Sequence, residues 1–255
     1  MLRSVLRSLG PARRTGAAAD QETTAYFDQH VPEYSLRHAR RAVQLICAAG
    51  PRDAALVDIG CGVGTVLASL ATKATGISRL VGFDVSSACL EETRQKVDAE
   101  LHQVSITDSA AVGRFRGQFD FALMAAVLHH LVGPTRRRSR RVAETAIANS
   151  LVLLKPGGYL VIAEPTFAPS APLGALFWAK RMSARMTSRR LPIGGYWNNL
   201  GPPIVSYYSP DQLHALVGGL PAEIVFSDSV PQRLNRLGQT LVAKTNTTMM
   251  IRTRP

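Results

Sequence analysis

The chain has 255 residues, 46% hydrophobic and 19% charged, a composition that supports a substantial apolar core and excludes a disordered chain or a small disulfide scaffold. No apolar run reaches the roughly 18 residues needed to cross a bilayer. Thirty basic against eighteen acidic residues give a net charge of +12, which invites a nucleic-acid or anionic-surface partner. Fourteen of those basic residues, however, sit in three acid-free stretches, 1–19, 136–141 and 180–190, and the remainder is close to neutral.

Residues 1–19 form a basic tail in which Leu2, Val5, Leu6 and Leu9 fall at helical spacing with arginines between them. A frayed tail is the favoured reading and a mitochondrial transit peptide the alternative. Residues 20–255 read as one domain. It opens with two short helices at 20–50, broken near Pro32. Cys47, Cys61 and Cys89 show neither CxxC spacing nor a paired histidine pattern, so no metal site is expected and a reducing, cytoplasmic setting is the default.

The run Ala-Leu-Val-Asp-Ile-Gly-Cys-Gly-Val-Gly-Thr from Ala55 to Thr65 reads as a buried parallel strand, a glycine-rich turn and a helix start. Its chemistry is narrowed by what it lacks. No lysine follows the glycines, as a Walker loop needs, and Gly60, Gly62 and Gly64 give G-x-G-x-G rather than the dinucleotide G-x-G-x-x-G. Asp58, inside the strand, repels a pyrophosphate and suits a cation. A second strand, Leu-Val-Gly-Phe-Asp-Val, carries Asp84 at the offset where a carboxylate accepts from ribose hydroxyls. An adenosine without phosphates and with positive charge describes S-adenosylmethionine. VDIGCGVGTVL followed by VGFDVS resembles motif I and its acidic partner in the class I SAM-dependent methyltransferases.

Later landmarks keep that family's order. A third strand is expected at 101–106, ending around Asp108, and a fourth at 118–131, QFDFALMAAVLHHL. A helix over 140–153 precedes LKPGGYLVIAEP, which resembles the family's LKPGG turn and fifth strand. Ser209, with Pro210 behind it, starts another helix, and strands at 222–226 and 239–244 finish the sheet. The expected fold is therefore α/β, a Rossmann-like seven-stranded mostly parallel sheet with helices on both faces and a helical cap inserted after strand five, at 167–208.

The resemblance implies roles residue by residue. Asp58, Gly60, Cys61 and Gly62 belong to the turn that holds the methionine end, and Gly64 permits close helix packing. Asp84 takes the ribose, Val85 covers one adenine face, and Ile106 and Asp108 border the adenine edge, Asp108 having a helix cap as its alternative role. Tyr26, Tyr34 and Arg37 resemble a lid segment, with Arg37 reaching the cofactor carboxylate and the tyrosines facing the acceptor. His129, His130 and Glu164 are the candidate catalytic groups at the rim after strands four and five; packing and capping are the competing roles.

In the insertion, Ala175, Trp178, Met182 and Met186 fall at helical spacing over 173–191 among Lys180, Arg181, Arg185, Arg189 and Arg190, a pattern fit for an anionic membrane surface as well as for a solvated cap. Trp197 and Tyr207 are candidate acceptor contacts. The expected activity is methyl transfer to the oxygen or carbon of a small-molecule or lipid-like acceptor. RNA methylation, or cofactor binding without transfer, is the alternative. Base amino-group enzymes of this fold carry an Asn/Asp-Pro-Pro-aromatic run after strand four, where this chain has Met124-Ala-Ala-Val, so nucleic acid is disfavoured.

Overall fold

Alternation along the central strands decides which way the sheet is covered. On β1 (Ala54–Ile59), Val57 and Ile59 point to one core and Leu56 to the other; on β4 (Phe119–Ala125), Ala122 and Met124 oppose Phe121 and Leu123. On β5 (Leu154–Ala168), Leu160 and Ile162 oppose Val161 and Ala163. Strands buried on both faces need helices on both. One face is covered by α1 (Arg40–Ala48) and α2 (Thr65–Lys73) through Val43, Ile46, Val66 and Leu70. The other is covered by α5 (Arg136–Leu153) and α7 (Pro210–Val217) through Val142, Ile147, Leu213 and Leu216. Each such aliphatic side chain withdrawn from water contributes about 1.5–3 kcal/mol.

The remaining sheet elements are β2 (Ile77–Asp84), β3 (Glu100–Gln103), β8 (Ala222–Pro231) and β9 (Ala243–Thr253), with α3 (Ser87–Arg94) and α4 (Ser109–Gly113) between the early strands. After β5 come α6 (Pro172–Met186) and a two-stranded hairpin of β6 (Leu191–Ile193) and β7 (Trp197–Leu200). The sheet order is β3-β2-β1-β4-β5-β9-β8, with β9 antiparallel to both its neighbours and the other pairs parallel. The order reverses direction between β1 and β4, and the carboxyl ends of these strands frame the crevice in which ligands of open α/β sheets bind. The computed structural model describes residues 25–28, 36–186, 203–232 and 243–254, and the backbone of 191–193 and 197–200.

Several expected boundaries move. The third strand stops at Gln103, because Asp108 starts the next helix and residues 104–107 turn into it. The arginine-rich helix begins four residues early, at Arg136, because Thr135 caps it by accepting from Arg138 N. Ser209 caps α7 as expected, in a reciprocal capping box with Gln212. The last strand is described over Ala243–Thr253 and runs through Thr-Thr-Met-Met-Ile; its Met249 and Ile251 are buried in the core on one face of the sheet, and 239–242 lie outside the described residues. The insertion after β5 is a helix plus a β-hairpin rather than helical throughout. Residues 1–19 also lie outside the described residues.

Candidate active site

A cavity of about 340 Å³ opens at the carboxyl ends of β1, β2 and β4. Its wall is built first from the β1–α2 turn. Gly62 adopts φ +53 with open space where a Cβ would stand, and its N–H donates to Asp84 Oδ2 at 2.8 Å. Gly64, at φ +74, lies so close to Thr93 that a Cβ would stand 2.6 Å from Thr93 Cγ2. The turn therefore presents backbone, not side chain, to the cavity.

Asp84 ends β2 at the cavity wall, its Oδ1 accepting from Ser86 N at 2.9 Å. Burial pushes its carboxyl up, opposed by those backbone donors. Each oxygen keeps a lone pair for a hydroxyl pair at cavity level. Val85, Val104, Ser105 and Ile106 continue the wall. Beneath the turn, Asp58 is 1% exposed and its Oδ2 has no hydrogen-bond partner. Burial, then the neighbouring Asp84, push it up to about 8. A buried carboxylate pair next to a side-chain-free cradle fits a ligand with a ribose and a positive charge, and does not fit a polyphosphate.

The other end of the cavity is made of imidazoles. His129 and His130 occupy a 3₁₀ turn, Leu128–His130, after β4. Their rings lie 4.1 Å apart, and His129 also stacks on Tyr207 at 5.2 Å. Glu164 on β5 organises this turn from below: Oε1 accepts from Val127 N and Leu128 N, each at 2.6 Å, and Oε2 lies 2.8 Å from His129 Nδ1. The carboxylate thereby clamps a backbone in which Ala126 holds φ +59, an uncommon value for a residue with a Cβ. Burial lowers the proton affinity of His129 and raises that of Glu164, to about 8. Such a pair titrates as a unit.

Gly60, Gly62, Asp84, Val85, Ile106, His129, His130 and Tyr207 all line this cavity, so most of the expected cofactor and rim residues are brought together. Others stand elsewhere: Asp58 is buried beneath the turn and Gly64 packs against Thr93, both outside the lining. Glu164 supports the wall from behind. Cys61 is buried with Sγ 3.9 Å from Gly62 O, and burial pushes its thiol far up, which leaves it a packing residue. Asp108 is exposed and caps α4 by accepting from Ala110 N and Ala111 N, outside the cavity lining, because the chain turns away at Thr107. Arg37 is exposed and not part of the lining, whereas the adjacent His38 is. Tyr26 packs edge-on against Phe27, which itself enters the cavity and meets His130 at 5.1 Å. Tyr34 and the side chain of Trp197 lie outside the described residues.

Cavity residues not anticipated from the sequence include Phe27, His38, Cys89, Val127, Pro165 and Lys244. Phe27 adjoins the expected lid tyrosine, and its helical turn is fastened at its far side by Ser86 Oγ donating to Asp28 Oδ1 at 2.6 Å. Lys244 arrives from β9, paired with Phe167 of β5, a placement that only the register of the antiparallel strand discloses. Among the described residues no cluster of His, Cys, Asp or Glu has a metal-binding arrangement, and no helix is long and apolar enough to cross a membrane.

Three curated proteins are similar to parts of the chain. An uncharacterised protein of a Streptomyces fradiae transposon is 29% identical over 60% of this chain and 41% of its own length. Nodulation protein S of Rhizobium tropici is 27% identical over 68% and 71%. Ribosomal RNA small subunit methyltransferase C of Cronobacter sakazakii is 28% identical over 45% and 32%. The chain thus spans less than half the length of two of them. Among solved structures, a Burkholderia thailandensis 1,6-didemethyltoxoflavin-N1-methyltransferase with S-adenosylhomocysteine bound is similar over 94% of this chain and 89% of its own, at 16% identity and a TM-score of 0.58, a likeness of fold. The methyltransferase-domain family matches residues 27–220. A glycine cradle with Asp84 at one end of the cavity, imidazoles at the other and a family match over three quarters of its length place this chain in the methyltransferase-domain family, with S-adenosylmethionine as its cofactor.

Proposed function

We propose that this protein methylates a nitrogen or oxygen of a small, lipid-like molecule carrying an acidic group, with His129 as proton acceptor and Glu164 as its positioning residue. S-adenosylmethionine, when bound, supplies an electrophilic methyl group. Asp84 and Gly62 would hold its ribose end, and Asp58 would answer its positive charge. The acceptor's lone pair forms the new bond to the methyl carbon as the carbon–sulfur bond breaks, and the acceptor's proton passes to His129 Nε2. Phe27, Val127 and Tyr207 exclude water from that end of the cavity.

The observation that carries this reading is the 2.8 Å contact between Glu164 Oε2 and Nδ1 of a cavity-lining histidine. When the pair has lost its shared proton, Glu164 is a carboxylate accepting three N–H groups, Nδ1 is protonated, and Nε2 is left with a lone pair. The pair is then ready to gain one proton without acquiring net positive charge in a buried setting. His38 and Lys244 border the same end, with Arg37 close by, and burial disfavours the charged form of each of the first two. An anionic group on the acceptor complements them.

Incubating the protein with methyl-labelled S-adenosylmethionine and separated small-molecule and RNA fractions of a cell extract tests the proposal. Label should enter an acidic small molecule, and His129→Gln should abolish transfer while cofactor binding persists. Transfer into RNA alone would replace this reading with the RNA one.

A further inference from the structure

The most exposed apolar surface among the described residues lies outside the cavity lining, on α6. Five large hydrophobic side chains are prominently exposed, and three of them, Trp178 at 49%, Met182 at 63% and Met186 at 84%, recur every fourth residue along this one helix. They share a face and form a ridge about 12 Å long. Leu173 and Phe177, on the opposite side, are buried, so the ridge is not the helix's packing face turned outward by accident. A Trp and two methionines in a row are costly to leave in water.

Charge says what covers them. Between Glu164 and Asp211 the sequence contains no acidic residue and five basic ones. Arg185 is exposed beside Met182 and Met186. The neighbouring start of α5 is basic as well: Arg181 Nη1 donates to Gly133 O and Arg136 Nη1 to Leu173 O, tying the two helices together, while Arg137 and Arg138 stay exposed. Those arginines occupy the first turn of α5, where the helix dipole disfavours cations. An anionic surface relieves that conflict, whereas a second copy of this basic face, or the chain's own arginine-bearing residues 1–19, would aggravate it.

We propose that α6 and the start of α5 form a docking surface for an anionic lipid bilayer, the Trp178–Met182–Met186 ridge entering the interface and the arginines meeting the phosphates. The helix follows directly on β5, which carries Glu164 and Pro165 of the site, so docking sets the acceptor end of the cavity close to a membrane. This placement suits the lipid-like acceptor proposed above but is tested without it.

The test is co-sedimentation of the full chain with vesicles of phosphatidylcholine, with and without phosphatidylglycerol. Binding is expected only to the anionic vesicles and should fall at high salt. Trp178→Ala with Met182→Ser and Met186→Ser should abolish it, and Arg137→Gln with Arg185→Gln should weaken it on the order of tenfold. Met186→Ser alone, at a residue that packs on almost nothing, gives a partial loss without risk to the fold, and calorimetric binding of S-adenosylmethionine verifies each variant. Equal binding to both vesicle types, or no effect of the ridge variants, overturns the proposal. So does light scattering that shows a dimer in the parent and a monomer in the ridge variant, which would assign the ridge to a second copy. None of these readouts needs turnover, so their failure leaves the methyl-transfer reading standing.

Discussion

Asp58 is the most exacting place to test the cofactor argument, because its cost is visible without any acceptor. It is fully buried, has one oxygen without a partner, and is pushed from an ordinary 3.8 to about 8 by burial and Asp84. The unfolded chain releases this proton near the ordinary value and the folded chain near the raised one. Between those pH values the folded state binds more protons than the unfolded state, so this group's stabilising effect, complete at acid pH, is lost as pH rises toward 8. At pH 7 the accumulated cost is on the order of 4 kcal/mol. Asp58→Asn removes the charge and keeps the shape. The ligand-free variant should therefore melt higher than the parent at pH 7, by as much as roughly 10 °C, with a difference that shrinks toward pH 4. A cationic ligand ionises the parent carboxyl, so cofactor binding near pH 6.5 should release up to one proton, read as a calorimetric heat that scales with buffer ionisation enthalpy. The variant should release fewer protons and bind more weakly, by about tenfold or more. An unchanged melting temperature across pH, with no proton release in the parent, would refute the reasoning.

Other consequences are equally specific. With an acceptor in hand, kcat/KM should rise with pH through a limb near 8, where Glu164 loses its proton and Nε2 becomes basic; Glu164→Gln, whose amide oxygen can still accept from Val127 N and Leu128 N, should erase the limb and the activity while the protein stays folded. Gly64→Ala should cost about 2 kcal/mol or more by strain and collision with Thr93, measured by urea unfolding. Gly62→Ala, whose Cβ meets nothing within 4 Å, should spare much of that stability and instead weaken cofactor binding, because the methyl enters the cradle. Asp28→Ala cuts the link to Ser86 and should speed cofactor release in stopped flow, while leaving the unfolding transition nearly unchanged.

The cofactor half of the site was legible because it is local. Gly60, Gly62 and Asp84 announce themselves by spacing, and the turn that unites them is completed by a single hydrogen bond from Gly62 to Asp84. The acceptor half is assembled from distant segments. Glu164 stood out as a carboxylate at a strand end, but its function as a clamp on Val127, Leu128 and His129 depends on the parallel register of β4 with β5. Lys244 and His38 were invisible for the same reason, being carried to the cavity by β9 and by a turn. Asp108 shows the converse: its position in the family pattern is satisfied equally by a helix cap, and the local backbone chose the cap. The continuation of the late strand past Lys244 to Thr253 went unread because Leu241-Val242-Ala243 reads as more strand-like than the threonines that pair with β5 and β8.

The central claim is that one cavity binds S-adenosylmethionine at its carboxylate end and takes a proton at its histidine end during methyl transfer. Parallel measurement of cofactor affinity and single-turnover transfer in His129→Gln tests it most directly. The variant should show a dissociation constant within about twofold of the parent and a transfer rate lower by roughly 10²–10⁴. A variant that transfers methyl at the parental rate, or one that loses cofactor binding and transfer together, would contradict it.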